Sequence, residues 1–213
     1  MKAIRRRFFA TVLAFGAAGM LAACDGAAPT SPTSNASAAG LASDNGQLGA
    51  GVLAGLAKVR AATAAFHDID AARAAGYTVW SPDPFAPGAT CPSNPAGNMG
   101  YHLVNVSLRG GAANPAAGDA VIDALLPEML LFERRPDGEL HLAGVEYLVF
   151  KEAWERVHGV GAAPPTVLGQ PLPLSSHTFV NNGPSIAHYE VHVWVWTDNP
   201  LGMFSPWNPT VTC

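Results

Sequence analysis

The segment from His188 to Trp196 limits the fold of this chain more than any other stretch. Valine or tyrosine alternates in this segment with histidine, glutamate or tryptophan. Successive side chains of a β-strand point to opposite faces of the sheet, so an alternation of this kind gives a strand two different faces. Its β-branched and aromatic residues also favour a strand. The sequence therefore predicts a strand with a valine face in the core and an opposite face that carries His188, Glu190 and His192.

A second strand pair is predicted upstream, over Met129–Arg134 and Glu139–Phe150. The four residues between them, 135–138, have the sequence Arg-Pro-Asp-Gly. Proline fixes φ, aspartate accepts a hydrogen bond from the backbone two residues on, and glycine takes a positive φ, so this segment favours a tight turn. We therefore predict an antiparallel hairpin.

Helical periodicity is confined mainly to the start of the domain, where helices are predicted over 50–65 and 69–75. Asp68 is placed to cap the second helix and Gly76 to end it. Elsewhere we expect a helical turn over 119–126 and a short helix over Glu152–Val157. Short strands outnumber helices, which predicts an α+β fold with N-terminal helices packed on a mostly antiparallel sheet. The alternative is a small cupin-like β-barrel or sandwich.

The N-terminus is built like a bacterial export signal. Lys2 and three arginines precede an apolar run over Phe8–Ala22, and small residues lead to Cys24. The sequence Leu-Ala-Ala-Cys at 21–24 resembles the lipobox of bacterial lipoproteins, which implies cleavage before Cys24 and lipid on its thiol. We therefore expect a signal peptide over 1–23 and an exported lipoprotein held in the cell envelope through its N-terminal lipid.

Residues 24–49 are small and polar and predict a flexible tether, followed by a single globular domain over 50–213. The chain has 12 lysines and arginines, four of them before Cys24, and 16 aspartates and glutamates, all after it. The mature chain would carry 8 basic and 16 acidic residues and a net charge of −8. A nucleic-acid partner is excluded, because such proteins need a basic face.

If Cys24 carries lipid, Cys91 and Cys213 are the two cysteines that remain. In an oxidising compartment two such thiols form a disulfide, and we expect this pair to do so. A metal-bound thiolate pair is the alternative, although the spacing is not that of a local metal knuckle.

Glu146 is the most informative acid in the chain, because it shares its predicted strand face with leucines and Phe150. Burying a carboxylate there is costly unless it is paired, metal-bound or protonated. Without a cation, burial should raise its pKa. His102, beside Gly100 on another predicted strand, is a candidate to lie close to Glu146.

His102, Glu146 and His192 together predict a site with two imidazoles and one carboxylate, a set that suits one Zn, Cu, Fe or Mn ion with open coordination positions. Glu190, His188 and Tyr101 are expected to support these ligands. His188 and His192 lie about 13 Å apart along a straight strand and should not share an ion. In the alternative interpretation all these residues are structural, with Glu146 paired to Arg109 or to a histidine. The other histidines, His177 among them, are interpreted as surface or structural residues.

Five segments together resemble a family of uncharacterised exported bacterial proteins and lipoproteins. They are Met-Gly-Tyr-His at 99–102, Gly-Val-Glu-Tyr at 144–147, Leu-Gly-Gln-Pro at 168–171, His-Tyr-Glu-Val-His-Val-Trp-Val-Trp at 188–196 and Trp-Asn-Pro-Thr-Val-Thr-Cys at 207–213. The resemblance implies a single exported domain and implies no activity. A likeness to cupins is weaker, because the His-x-His pair common in cupins is missing.

Two kinds of function follow from these observations. The first is a lipid-anchored envelope protein that binds a transition metal through the His/Glu site, as a metalloenzyme or a metal carrier. The second is a non-catalytic envelope module in which the same pocket holds a small ligand or a protein partner. A purely structural envelope protein is a third interpretation.

Overall fold

A computed structural model of the chain describes residues 48–111, 113–179 and 183–213. The predicted signal peptide over 1–23, Cys24 and all but the last two residues of the predicted tether lie outside the described residues. No helix among the described residues combines the length and the apolar character needed to cross a membrane.

Strands dominate the domain, and six of them form one antiparallel sheet that curls into a half-barrel. The strands in chain order are β1 (Val79–Ser81), β2 (Ser93–Asn94), β3 (Gly97–Asn98), β4 (Tyr101–Val104), β5 (Met129–Arg134), β6 (Leu140–Phe150), β7 (Thr166–Val167), β8 (Gln170–Pro171), β9 (Leu174–Thr178) and β10 (Ser185–Val193). The large sheet has the order β1-β4-β5-β6-β10-β9, while β2-β3 and β7-β8 are small separate hairpins. The coarser prediction of a mixed α+β fold with a mostly antiparallel sheet is confirmed, and the curl of the sheet is consistent with the alternative of a small β-barrel.

The helices are short, and in sequence two of them precede the first strand while the other two lie between later strands. They are α1 (Ala50–Thr63), α2 (Ile69–Ala74), α3 (Val106–Arg109) and α4 (Lys151–His158), with 3₁₀ turns over Ala64–His67 and Pro115–Ala117. Asp68 caps α2 as predicted, since its carboxylate accepts hydrogen bonds from the backbone of Asp70 and Ala71. Gly76 follows α2 with φ of +98°.

One face of the sheet carries the main core. Tyr189, Val191 and Val193 of β10 are buried there, together with Val52 and Leu56 of α1. The alternation predicted for His188–Trp196 therefore holds through Val193, where β10 ends. Beyond Val193 the regular pairing ends, although Trp196 and Thr197 still donate backbone hydrogen bonds to the carbonyl of Ala143 on β6. The predicted strand therefore extends three residues too far.

The segment over 119–126 is not helical, which corrects the prediction of a helical turn there. Asp119 accepts a hydrogen bond from the backbone N–H of Val121, and Asp123 accepts one from Leu125. Such side-chain bonds to the backbone two residues on compete with a helix and stabilise turns instead.

The C-terminal tail packs on the body without regular structure. Asn98 and Asn208 exchange two backbone hydrogen bonds, and Val211 is buried against Leu131. Cys213 forms a disulfide with Cys91 across 122 residues of sequence, with 5.7 Å between their Cα atoms. The predicted pairing is thus present, and such a bridge fits an exported protein.

Candidate functional site

Three side chains from different strands meet at one point, and we call His102, Glu146 and His192 the central cluster. Glu146 Oε2 lies 3.1 Å from His102 Nε2 and 3.6 Å from His192 Nε2. The two Nε2 atoms are 3.4 Å apart. All three residues are buried, and at most a tenth of any of these side chains is exposed. The structure therefore brings together the three residues predicted as ligands.

Strand register explains how residues so far apart in sequence converge. His192 of β10 lies directly across the ladder from Glu146 of β6, so the two side chains share a face. His102 of β4 is two strands away from β6 and pairs with Leu131 of β5. A β-bulge between Leu131 and Phe132, together with the curl of the sheet, lets the His102 ring reach across β5 to Glu146.

The spacing of the three ligand atoms suits a metal ion. A triangle with these sides has a circumscribed radius of about 2.0 Å, so a point exists at a normal zinc–nitrogen or zinc–oxygen distance from all three atoms. The sides also resemble the edges of a coordination tetrahedron of that bond length. The central cluster could therefore hold a metal ion through three protein ligands and leave a position open.

Hydrogen bonding inside the central cluster is incomplete. Among the residues that the structure describes, the buried atoms Glu146 Oε2 and His192 Nδ1 have no hydrogen-bond partner. The His102 ring is close to Glu146 Oε2, but its N–H is not aligned for a hydrogen bond. A buried oxygen without a partner is costly, and a cation at this point would supply one.

Burial also sets the ionisation of the cluster. It raises the pKa of Glu146 to about 7, against the opposing charge of His192. Burial lowers the pKa of His102 to about 4, although Glu190 partly offsets the change, and it lowers the pKa of His192 as well. The histidines are therefore neutral at neutral pH, which is the form that binds metals.

A second group, which we call the edge cluster, consists of His177, His188 and Glu190 on the hairpin of β9 and β10. Glu190 Oε2 lies 3.1 Å from His188 Nε2 and 3.5 Å from His177 Nε2. Burial opposes the ionisation of Glu190, but its contacts with His177 and His188 outweigh burial and hold its pKa well below the ordinary value. The contact with Glu190 raises the pKa of His177, against the effect of its burial.

Both clusters open into one cavity of about 550 Å³. Its walls combine the polar residues of the clusters with apolar residues from the loops and the tail: Pro82, Pro92, Met99, Met129, Phe179, Pro206 and Trp207. Arg109 also lines the cavity and is only 7% exposed. Its guanidinium lies over the rings of Phe150 and Phe179, and its Nε donates to the carbonyl of Gly110.

The residues predicted to support the metal ligands are placed differently from the expectation. His188 and Glu190 form the edge cluster with His177, a residue that the sequence predicts to be at the surface or structural. Tyr101 alternates to the other face of β4, where its hydroxyl donates to the carbonyl of Ala89. As predicted, His188 and His192 belong to separate groups.

Arg109 is not within ion-pair distance of Glu146 in the described part of the chain, whereas His102 is. Of the two pairings in the structural interpretation, the one with a histidine is therefore present and the one with Arg109 is not. No protein-family model matches the chain, and neither the curated proteins nor the solved structures include a significant match. The function is therefore argued from the site itself.

Proposed function

We propose that this chain is an exported envelope protein that binds a transition-metal ion at His102, Glu146 and His192. The observation that carries the proposal is the convergence of three buried ligand atoms within 3.1–3.6 Å of one another, without hydrogen bonds to satisfy the carboxylate oxygen. A purely structural network would be expected to satisfy its buried polar atoms.

The ligand set favours zinc among the candidate metals. Two imidazoles and one carboxylate with an open position form a common catalytic zinc site, and the same set serves Fe(II) in oxygen-dependent enzymes. Copper and manganese remain alternatives for the binding assay. When bound, the ion would act as a Lewis acid on water or on a ligand oxygen in the cavity.

The cavity also indicates the class of ligand. Arg109 is a nearly buried guanidinium that faces the same space, and the described residues supply its nitrogens with one backbone carbonyl and a distant methionine sulfur at 3.9 Å. A buried charge needs a counter-charge. This favours a small anionic ligand, a carboxylate or a phosphate, held between Arg109 and the metal.

The second candidate is a binding module that needs no metal. The cavity volume and its proline, phenylalanine and tryptophan walls favour a small ligand with an apolar part. This candidate predicts that a ligand raises the melting temperature of the metal-free chain, and that zinc does not.

Metal analysis of the full-length chain tests the proposal. The chain is loaded with zinc and dialysed, and zinc per chain is measured for wild type, His192→Ala and the control His158→Ala, whose ring lies on α4 outside the cavity. We expect His192→Ala to hold one zinc fewer than wild type, and the control to match wild type. Less than about 0.1 zinc per wild-type chain, also after incubation with Cu, Fe or Mn, would contradict the proposal, because a built site of this kind binds strongly at neutral pH.

The envelope location forms the second part of the proposal. The lipobox-like segment at 21–24 supports lipid attachment at Cys24, and the disulfide between Cys91 and Cys213 supports export. We expect a fatty-acid analogue fed to expressing bacteria to label wild type, and Cys24→Ala to remain unlabelled. Equal labelling of the two chains, or none in wild type, would contradict lipid anchoring.

A further inference from the structure

We propose that the edge cluster is a second metal site, so that the chain binds two transition-metal ions in one cavity. The second site is formed by His177, His188 and Glu190 and shares no ligand with the central cluster. It therefore goes beyond the function proposed above and can fail or succeed independently of it.

The tautomer of His188 gives the first argument. Its Nδ1 lies 2.7 Å from the carbonyl oxygen of Ile186, so Nδ1 carries a proton and donates it. In a neutral ring Nε2 then carries a lone pair, and it points at Glu190 Oε2 from 3.1 Å. Two acceptors at that distance repel each other unless a proton or a metal ion lies between them.

The position of His177 favours a metal ion over a proton between His188 and Glu190. Its Nδ1 also faces a backbone carbonyl, that of Thr178, and its Nε2 lies 3.5 Å from the same Glu190 oxygen. One added proton would satisfy only one of the two rings, and two protons would place two imidazolium ions with ring centres 4.4 Å apart. One divalent ion can accept both ring lone pairs and the carboxylate at once.

The surroundings of these histidines are those of metal ligands. Metal-binding imidazoles usually donate the second ring N–H to a carboxylate, a backbone carbonyl or water, which fixes the tautomer and the ring orientation. Both rings here face a backbone carbonyl. The Phe179 ring packs 4.5 Å from His177 and 5.0 Å from His188, which further restricts both rings. His188 is fully buried, whereas about half of the His177 side chain is exposed.

The two sites are close neighbours. Glu190 precedes His192 by two residues on β10, so both side chains leave the same face of the strand. The side chains of Glu190 and Glu146 both line the same cavity. Two ions there would face the same cavity as Arg109, an arrangement suited to a phosphate or carboxylate whose oxygens contact both metals.

Zinc stoichiometry of the full-length chain tests the second site. We expect two zinc ions per wild-type chain, one in His177→Ala, one in His192→Ala and two in the control His158→Ala. His177 lies on the edge strand with a half-exposed side chain, so its substitution should leave the fold intact. Circular dichroism of each variant checks this.

Each outcome separates the two proposals. One zinc in wild type and in His177→Ala, with none in His192→Ala, would overturn the second site and leave the central one. One zinc in wild type and in His192→Ala, with none in His177→Ala, would support the second site and overturn the central one. No zinc in wild type would overturn both.

Discussion

The central and edge clusters are built from the same residue types, two histidines and one glutamate, yet their glutamates behave in opposite ways. The pKa of Glu146 is raised to about 7 because burial removes water from the carboxylate, and the negative charge of Glu190 raises it further. The pKa of Glu190 is lowered, because its contacts with His177 and His188 outweigh its burial.

Sequence distance explains the difference. The edge cluster lies on one hairpin, whose pairing of Ile186 with His177 and of His188 with Ser175 sets the ring positions directly. The central cluster draws its ligands from three strands, and His102 must reach across β5. A hairpin can orient ring nitrogens toward one oxygen, whereas distant strands bring the ligands close but leave their hydrogen bonds unmade.

Removing the disulfide should have the largest effect, and it should affect the two clusters unequally. The free energy of unfolding of the Cys91→Ser/Cys213→Ser double variant should be about 4–5 kcal/mol lower than that of wild type, as expected for a disulfide that closes a loop of 122 residues. Pro92 and Trp207 line the cavity beside the ends that this bridge joins, so the central cluster should lose zinc faster. Urea unfolding and zinc release measure both effects. A decrease in the free energy of unfolding of less than about 1 kcal/mol would contradict the expectation that the disulfide stabilises the fold by restricting the unfolded chain.

Removing each carboxylate charge should change stability with opposite signs. The folded-state pKa of Glu146, about 7, exceeds its ordinary value, so the metal-free chain loses stability as pH rises from about 4.5 through 7. Glu146→Gln should therefore stabilise the metal-free chain by about 3 kcal/mol at pH 8.5 and have little effect at pH 4.5.

The matched variant in the edge cluster should behave in reverse. A lowered pKa means that ionised Glu190 stabilises the fold above its ordinary pKa, and that this contribution is lost as pH falls toward the folded-state value. Glu190→Gln should cost about 1–3 kcal/mol at pH 7 and less at pH 3. Chemical denaturation at these pH values measures the free energy of unfolding of both variants. If both substitutions stabilised the chain at pH 7–8.5, or both destabilised it, the proposed difference between the two glutamates would be wrong.

Metal exchange should distinguish the clusters by exposure. Half of the His177 side chain is exposed, whereas His192 is 1% exposed, so a chelator reaches the edge cluster without opening the fold. With both sites loaded, zinc release into excess chelator should be biphasic, and the edge phase should be about tenfold faster. His177→Ala should remove the fast phase, and a fast phase that persists in it would contradict the assignment.

The smallest effect is expected at the wall of the edge cluster. Phe179→Leu removes the ring that packs against His177 and His188, so zinc affinity of the edge cluster should fall about fivefold, below the range usual for groups that orient metal ligands. Affinity at the central cluster should not change. Competition titrations with a zinc indicator measure the zinc affinity of both clusters. An equal decrease in affinity at the two clusters would show that the substitution destabilises the fold as a whole.

Local rules predicted much of the fold. The Arg-Pro-Asp-Gly turn forms, with Gly138 N–H donating to the carbonyl of Arg135, and Asp68 caps α2. The alternation over His188–Val193 identified both faces of β10, and a carboxylate among leucines correctly identified Glu146 as a buried acid. These predictions depend on residues close in sequence.

The edge cluster was missed because β9 has no strand pattern. Its sequence, Leu-Ser-Ser-His-Thr, is polar and lacks alternation, because an edge strand exposed to water needs no apolar face. His177 was therefore interpreted as a surface or structural residue. The available signal was its position on a short polar segment directly upstream of β10, where a hairpin places it opposite Ile186. The reach of His102 across β5 depends on the bulge and the curl, which are tertiary features.

The hairpin of β9 and β10 also has a consequence for the order in which the protein matures. About 45 residues of sequence separate His102 from Glu146, and about as many separate Glu146 from His192. The central cluster can therefore form only after most of the sheet has assembled. The edge ligands span little more than a dozen residues and need only one local strand pairing. A newly exported chain would thus gain its local binding site early, and the first ion captured would hold the last two strands together while the remaining strands find their places.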